Sequence, residues 1–301
     1  MPDTPMLDDA QALLQKANGG LPATPTRREV VQAGVGLGFA AATLPVAAQT
    51  VIQTPSEGLV AGTVQIPVGD FQMPAYRAMP QGGGARPVVL VISEIFGVHE
   101  HIADVARRFA HQGYCAIAPD LYKRQGNPAG YTDIGALMSE LVSKVPDAQV
   151  MGDLDATVAW AKAQGQDTSR LGVTGFCWGG RITWLFAEHS PAVKAGVAWY
   201  GRLTGPTNPL QPRHPLDLVA ELKAPVLGLY GGQDTGIPLD TVEAMKKALA
   251  AGNAAARDSR FIVYPDAPHA FHADYRPSYR QADAQDGWKQ CLAWFKAHGV
   301  A

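Results

Sequence analysis

Cysteine is scarce in this chain: three in 301 residues, at Cys115, Cys177 and Cys291. Three scattered thiols make no disulfide framework, and no two are close enough for a Cys-x-x-Cys zinc or redox motif. At least one thiol therefore stays unpaired within a monomer. Charge of one sign is lacking too. Lys and Arg number 25 against 27 Asp and Glu, a formal net charge of -2, with no long basic run. Nothing there tracks a phosphate backbone, so nucleic acid is not an expected partner. No apolar run reaches the roughly 20 residues that a membrane span needs. What remains is globular composition, 47% hydrophobic with 32 Gly and 23 Pro, in a length that suits one large domain or two small ones.

The N-terminal 26 residues are polar and lead to the pair Arg27-Arg28. Val30 to Leu44 is uncharged and only moderately apolar, and small residues follow at Val46-Ala47-Ala48. That layout reads as a twin-arginine export signal over residues 1–48, with a periplasmic or exported domain over 49–301. The alternative is an extension, flexible or amphipathic, that stays attached to a cytoplasmic protein.

From Glu57 onward short apolar runs alternate with helical periodicity. Leu59 to Ile66 and Phe71 to Ala78 read as a β-hairpin turning at Gly69-Asp70. Buried-strand runs follow at Pro87 to Ser93, Tyr114 to Ala118, Leu171 to Thr174, Lys194 to Tyr200, Pro225 to Tyr230 and Arg260 to Val263. Helical patterns lie between them at His101 to His111, Asp147 to Ala163, Gly179 to Glu188, Leu239 to Ala250 and Gln285 to His298. Strands alternating with helices imply parallel pairing, hence a three-layer α/β sandwich with a mostly parallel central sheet and an N-terminal hairpin. Function in such a sheet collects at the strands' C-terminal ends.

The segment Leu171-Gly172-Val173-Thr174-Gly175-Phe176-Cys177-Trp178-Gly179-Gly180 runs from strand to helix through Gly-x-Cys-x-Gly. A nucleophile on a sharp strand-to-helix turn crowds the residues two before and two after it, so both must be very small. Here they are Gly175 and Gly179. A sulfur at a helix N-terminus feels unpaired N–H groups, which favour thiolate. The competing use of a free cysteine is as a small buried hydrophobe, which suits Cys115 and Cys291. An acid and then a histidine are expected at later strand ends. Asp234 follows Gly231-Gly232-Gln233, and His269 follows Pro265-Asp266-Ala267-Pro268. Taken singly these are a turn aspartate and a loop histidine; in this order they form a triad with Cys177. Asp266 shares the loop of His269 and is the decoy. The clusters His269-x-x-His272 and His99-Glu100-His101 raise the question of a metal, but no ligand set with structural-zinc spacing accompanies them. Neither a metal nor a cofactor is expected.

Glu94-Ile95-Phe96-Gly97, Ala118-Pro119-Asp120-Leu121-Tyr122, Gly175-Phe176-Cys177-Trp178-Gly179-Gly180, Gly231-Gly232-Gln233-Asp234 and His269-Ala270-Phe271 together resemble the dienelactone hydrolase (carboxymethylenebutenolidase) family of α/β-hydrolases. The resemblance implies a Cys177, His269, Asp234 triad, with Glu94 as a switchable partner that takes the thiol proton. It also implies an oxyanion hole from the backbone N–H groups of Ile95 and Trp178. Family members that hydrolyse dienelactone hold its carboxylate with an arginine four residues after the histidine. That position is Ala273 here, and Arg276 lies further on, either as a displaced anchor or as a salt-bridge partner of Asp274. Tyr122, Trp199 and Tyr200 line the pocket or pack in the core. The expected activity is opening of a small lactone or cleavage of a carboxylic ester through an acyl-cysteine, by a monomer or weak homo-oligomer. The readings from other classes are a non-catalytic small-ligand binder and a redox-active thiol protein.

Overall fold

The computed structural model describes Gln11 and residues 51–301. The expected export signal and its cleavage site lie outside the described residues, apart from Gln11. That side chain hydrogen-bonds the Thr132 carbonyl at 2.9 Å and the Ile134 N–H at 2.7 Å.

The hairpin of β1 (Leu59–Val68) and β2 (Phe71–Pro80) turns at Gly69-Asp70, in the register Val68 opposite Phe71. Its partly exposed residues suit an antiparallel margin with one wet face. The remaining strands are β3 (Pro87–Ile92), β4 (Cys115–Pro119), β5 (Asp167–Phe176), β6 (Val193–Trp199), β7 (Val226–Gly231) and β8 (Arg260–Tyr264). They form one sheet in the order β1-β2-β4-β3-β5-β6-β7-β8, parallel from β4 through β8. Every residue of β4 and β7 is buried, as both faces are covered.

Helices α1 (Glu100–His111) and α5 (Gln281–Ala297) share one face, where Phe109 packs on Trp288 with ring centroids 4.5 Å apart. Helices α2 (Asp147–Ala163), α3 (Trp178–His189) and α4 (Leu239–Ala251) are the other long helices. The result is the expected three-layer α/β-hydrolase sandwich. Among the described residues no helix is long and apolar enough to cross a membrane.

Two boundaries differ from the sequence reading. β5 starts at Asp167, ahead of Leu171, because the Asp167 N–H bonds the Arg86 carbonyl at 2.9 Å and extends a half-exposed strand with no apolar run. α5 starts at Gln281, ahead of Gln285, through a polar first turn that carries no periodic signal. Short helical turns at Ile134–Lys144, Pro215–Glu221 and Ala254–Asp258 also escaped that reading.

Helix α3 carries a buried acid, Glu188, neither of whose carboxyl oxygens has a hydrogen-bond partner among the described residues. Burial, reinforced by Glu221, pushes its carboxyl well above the ordinary 4.5. A raised folded-state pKa gives stability that is full below 4.5 and declines as pH rises above it. Glu188→Gln removes that decline. Its thermal unfolding midpoint should match or trail wild type at pH 4 and exceed it at pH 8, the difference growing by about 1.4 kcal/mol for each unit of the raised pKa. Parallel melting curves at both pH values would contradict this.

Candidate active site

β5 ends at Phe176 and α3 begins at Trp178, leaving Cys177 as the corner residue with φ 55° and ψ -113°. This is a sparsely populated conformation for a residue with a side chain, held here at a cost of about 1–3 kcal/mol. The surroundings dictate it. A Cβ on Gly175 would lie 2.2 Å from the Gly179 carbonyl oxygen, and one on Gly179 would lie 2.4 Å from the Ile92 oxygen. The Cys177 N–H bonds the Trp199 carbonyl at 3.0 Å, pinning the corner to β6. Cys177 keeps partial exposure, whereas Cys115 and Cys291 are buried. Burial pushes the Cys115 thiol to about 11 and raises that of Cys291 as well.

Asp234 lies past the end of β7, its side chain buried. Its Oδ1 accepts the N–H groups of Gly236 at 2.9 Å and Ile237 at 3.1 Å, which leaves Oδ2 facing His269 Nδ1 at 2.7 Å. The opposite ring atom, His269 Nε2, is buried with no nitrogen or oxygen partner among the described residues. Burial opposes a charged imidazole here, but the Asp234 carboxylate and then the nearby Cys177 sulfur raise it to about 10. Acid and base are therefore in contact with the Cys177 sulfur nearby, and Asp266 is exposed to solvent.

Glu94, directly past β3, is 1% exposed. Its Oε2 accepts the Tyr275 O–H at 2.6 Å, Arg276 Nη1 lies 3.8 Å from Oε1, and His99 Nε2 lies 4.0 Å from Oε2. Burial alone would raise the carboxyl. Arg276, Tyr275, His101 and His99 together hold it below its ordinary value. The backbone N–H groups of Ile95 and Trp178 donate to no acceptor among the described residues. Tyr122, past β4, packs on the Trp178 ring at 4.8 Å, and Tyr200, past β6, meets the His269 ring edge-on at 5.0 Å. Both tyrosines are fully buried, and their hydroxyls have no hydrogen-bond partner among the described residues. Burial first, and then Cys177 and Glu94, raise both phenols well above 10, which puts all four residues in one neighbourhood.

One expectation changes. Arg276 pairs with Glu94, while Asp274 is taken by His101 at 3.2 Å and Arg108 at 2.5 Å. Trp199 is a core residue whose indole N–H bonds Thr174 Oγ1 at 3.1 Å. His269 and His272 diverge: His272 stacks on Phe176 at 4.9 Å. Among the described residues no group of three or more His, Cys, Asp or Glu side chains is placed to hold a metal. Tyr275 and His99, which border Glu94, were missed as site residues. Tyr275 carried no motif signal, and His99 was visible only as part of a histidine cluster.

Removing the charge of the fixed acid should release the base. In Asp234→Asn, an NMR titration of the His269 ring should give a pKa well below about 10 and closer to the ordinary 6.5. The pair's contribution to stability in wild type is full below 6.5 and is lost as pH rises toward about 10. An unshifted ring titration would show that Asp234 does not set it.

The sequence pattern of the dienelactone hydrolase family matches residues 73–299. A protein of Methylorubrum extorquens named "Putative carboxymethylenebutenolidase" is 61% identical over 279 residues, 92% of this chain and 95% of the relative. An Escherichia coli protein of the same name is 56% identical over 263 residues, 87% of this chain and 96% of that one. A crystal structure from Klebsiella pneumoniae, titled as a putative dienelactone hydrolase, is 56% identical and superposes with a TM-score of 0.77 over 79% of this chain and 98% of its own. With the corner cysteine, the strand order and these relatives in agreement, the chain belongs to the dienelactone hydrolase family.

Proposed function

We propose that the protein opens a small lactone, or cleaves a small carboxylic ester, through an acyl-enzyme on Cys177. The observation that carries this reading is the buried Asp234–His269 pair, 2.7 Å apart, whose free ring nitrogen is presented to a sulfur at the corner between β5 and α3.

The substrate carbonyl oxygen sits against the N–H groups of Ile95 and Trp178. Cys177 gives its proton to Glu94, and the thiolate attacks the carbonyl carbon. The two N–H groups stabilise the resulting oxyanion, an effect worth about 2.7–4 kcal/mol per donor in acyl transfer. As the tetrahedral intermediate collapses and the C–O bond breaks, imidazolium His269 protonates the departing alkoxide, which in a lactone remains tethered to the acyl group. Neutral His269 then takes a proton from water, and the hydroxide adds to the thioester. Collapse expels the Cys177 thiolate, which recovers its proton from Glu94, and the product acid ionises into solvent. Covalent capture divides one difficult displacement into two easier ones. The high pKa of His269 favours its role as acid in the first half. Tyr122 and Tyr200 offer hydroxyls to the substrate's ring or ester oxygens, and Arg276 offers positive charge to an anionic substituent.

Hydrolysis of p-nitrophenyl acetate and a panel of small lactones tests this. Wild-type turnover should disappear after iodoacetamide treatment and fall by at least ~10³-fold in Cys177→Ala. Turnover that survives in Cys177→Ala removes the nucleophile from the proposal. Absence of turnover on every substrate points to a small-ligand binding protein instead.

A further inference from the structure

The histidine cluster His99-Glu100-His101 takes no part in the steps above, yet it borders Glu94. His99 is the residue before α1, and its backbone is fixed: its N–H bonds the Gly97 carbonyl at 3.1 Å and its carbonyl accepts the Ala103 N–H at 3.0 Å. The ring is 2% exposed, and neither ring nitrogen has a hydrogen-bond partner among the described residues. Buried polar atoms are normally paired, so an imidazole orphaned on both sides calls for an explanation.

Its surroundings supply one. The titratable groups around it are Glu94, with Oε2 4.0 Å from Nε2; Tyr275, whose ring is 5.0 Å away; His101, stacked at 6.0 Å; Asp274 and Arg276 beyond them; and Tyr76, Glu100 and Asp120, which line a cavity that His99 also borders. The Tyr275 hydroxyl donates to Glu94 and the Arg276 guanidinium lies 3.8 Å from Oε1, and both favour its carboxylate. A Glu94 that has accepted a proton needs an acceptor for its O–H; Tyr275 already meets Oε2 as a donor, and the His99 ring, 4.0 Å from the same oxygen with a ring nitrogen to spare, can serve.

We propose that His99 is a positioning residue that accepts a hydrogen bond from protonated Glu94, holding the transferred proton away from the Cys177 sulfur until turnover returns it. The inference rests on the proposed role of Glu94 as proton acceptor. The step is a proton transfer from the Cys177 thiol to the Glu94 carboxylate, giving a thiolate and a carboxylic acid. The acid's O–H then turns to His99 Nε2, and no other bond is made or broken. Burial and then His101 lower the His99 ring to about 4 despite Glu94, so it is neutral near pH 7 and its lone pair is available.

The test is kcat and KM from about pH 5 to 9, on whichever ester or lactone turns over best, for wild type, His99→Phe, His99→Gln and Glu94→Gln. Losing the acceptor makes protonated Glu94 more acidic. His99→Phe should therefore lower kcat about tenfold, leave KM unchanged and move the acid limb of kcat to lower pH. His99→Gln retains a polar atom near the Nε2 position and should recover most of kcat and return the acid limb toward wild type. An acid limb that stays put in His99→Phe overturns the assignment, as does a Gln variant as impaired as the Phe variant. If Glu94→Gln keeps wild-type kcat while Cys177→Ala is dead, the role of Glu94 fails and this inference with it. If Glu94→Gln is impaired and His99→Phe is indifferent, only the role of His99 fails.

Discussion

Backbone crowding at one corner organises the rest of the molecule. Because Gly175 and Gly179 lack side chains, β5, the first turn of α3 and the end of β3 approach more closely than any Cβ would permit. That closeness holds Cys177 at a positive φ, at the point where β5 gives way to α3. It also brings the residue after Glu94 beside the corner, since the close contact is with the carbonyls of Ile92 and Ser93. A larger residue at either glycine would push these elements apart.

Two buried carboxylates flank this corner, and they are held differently. Asp234 is tied by two backbone N–H groups of its own turn, so its remaining oxygen has one direction available. Glu94 is held by side chains, Tyr275 and Arg276, which belong to the loop that also carries His269. Backbone donors cannot let go without unfolding the turn, whereas side-chain donors release by rotating about single bonds. Asp234 is therefore the more firmly fixed of the two, and Glu94 the more easily released. The loop after β8 governs both.

Much of this was legible in the sequence because the strongest signals are steric. The Gly-x-Cys-x-Gly corner, the Gly231-Gly232 turn ahead of Asp234 and the buried runs of β3 through β7 each have a local cause, so each is readable locally. The pairing of β2 with β4 is a different matter. It joins Ala75 to Pro119 and Ala78 to Ala116 across a long stretch of chain, and no nearby residue encodes it. The partners of Arg276 and Asp274 were obscured for a similar reason. They lie close in sequence and of opposite charge, but Asp274 turns to α1 for His101 and Arg108, leaving Arg276 for Glu94. Tertiary geometry overrode the neighbour rule. Tyr275 had no sequence signature at all, since a lone tyrosine in a loop reads as ordinary surface or core until Glu94 is placed beside it.

Among the described residues β8 occupies the margin of the sheet and pairs with β7 alone, whereas β5 lies between β3 and β6. Marginal elements open locally at lower free energy than central ones. Detachment of that rim would carry off the imidazole and both holders of Glu94 together, while the cysteine corner stayed intact. The intermediate left behind is a protein with an accessible thiol and nothing to regulate it, which places sulfenic and then irreversible oxidation, ahead of global melting, among the routes by which such an enzyme ages.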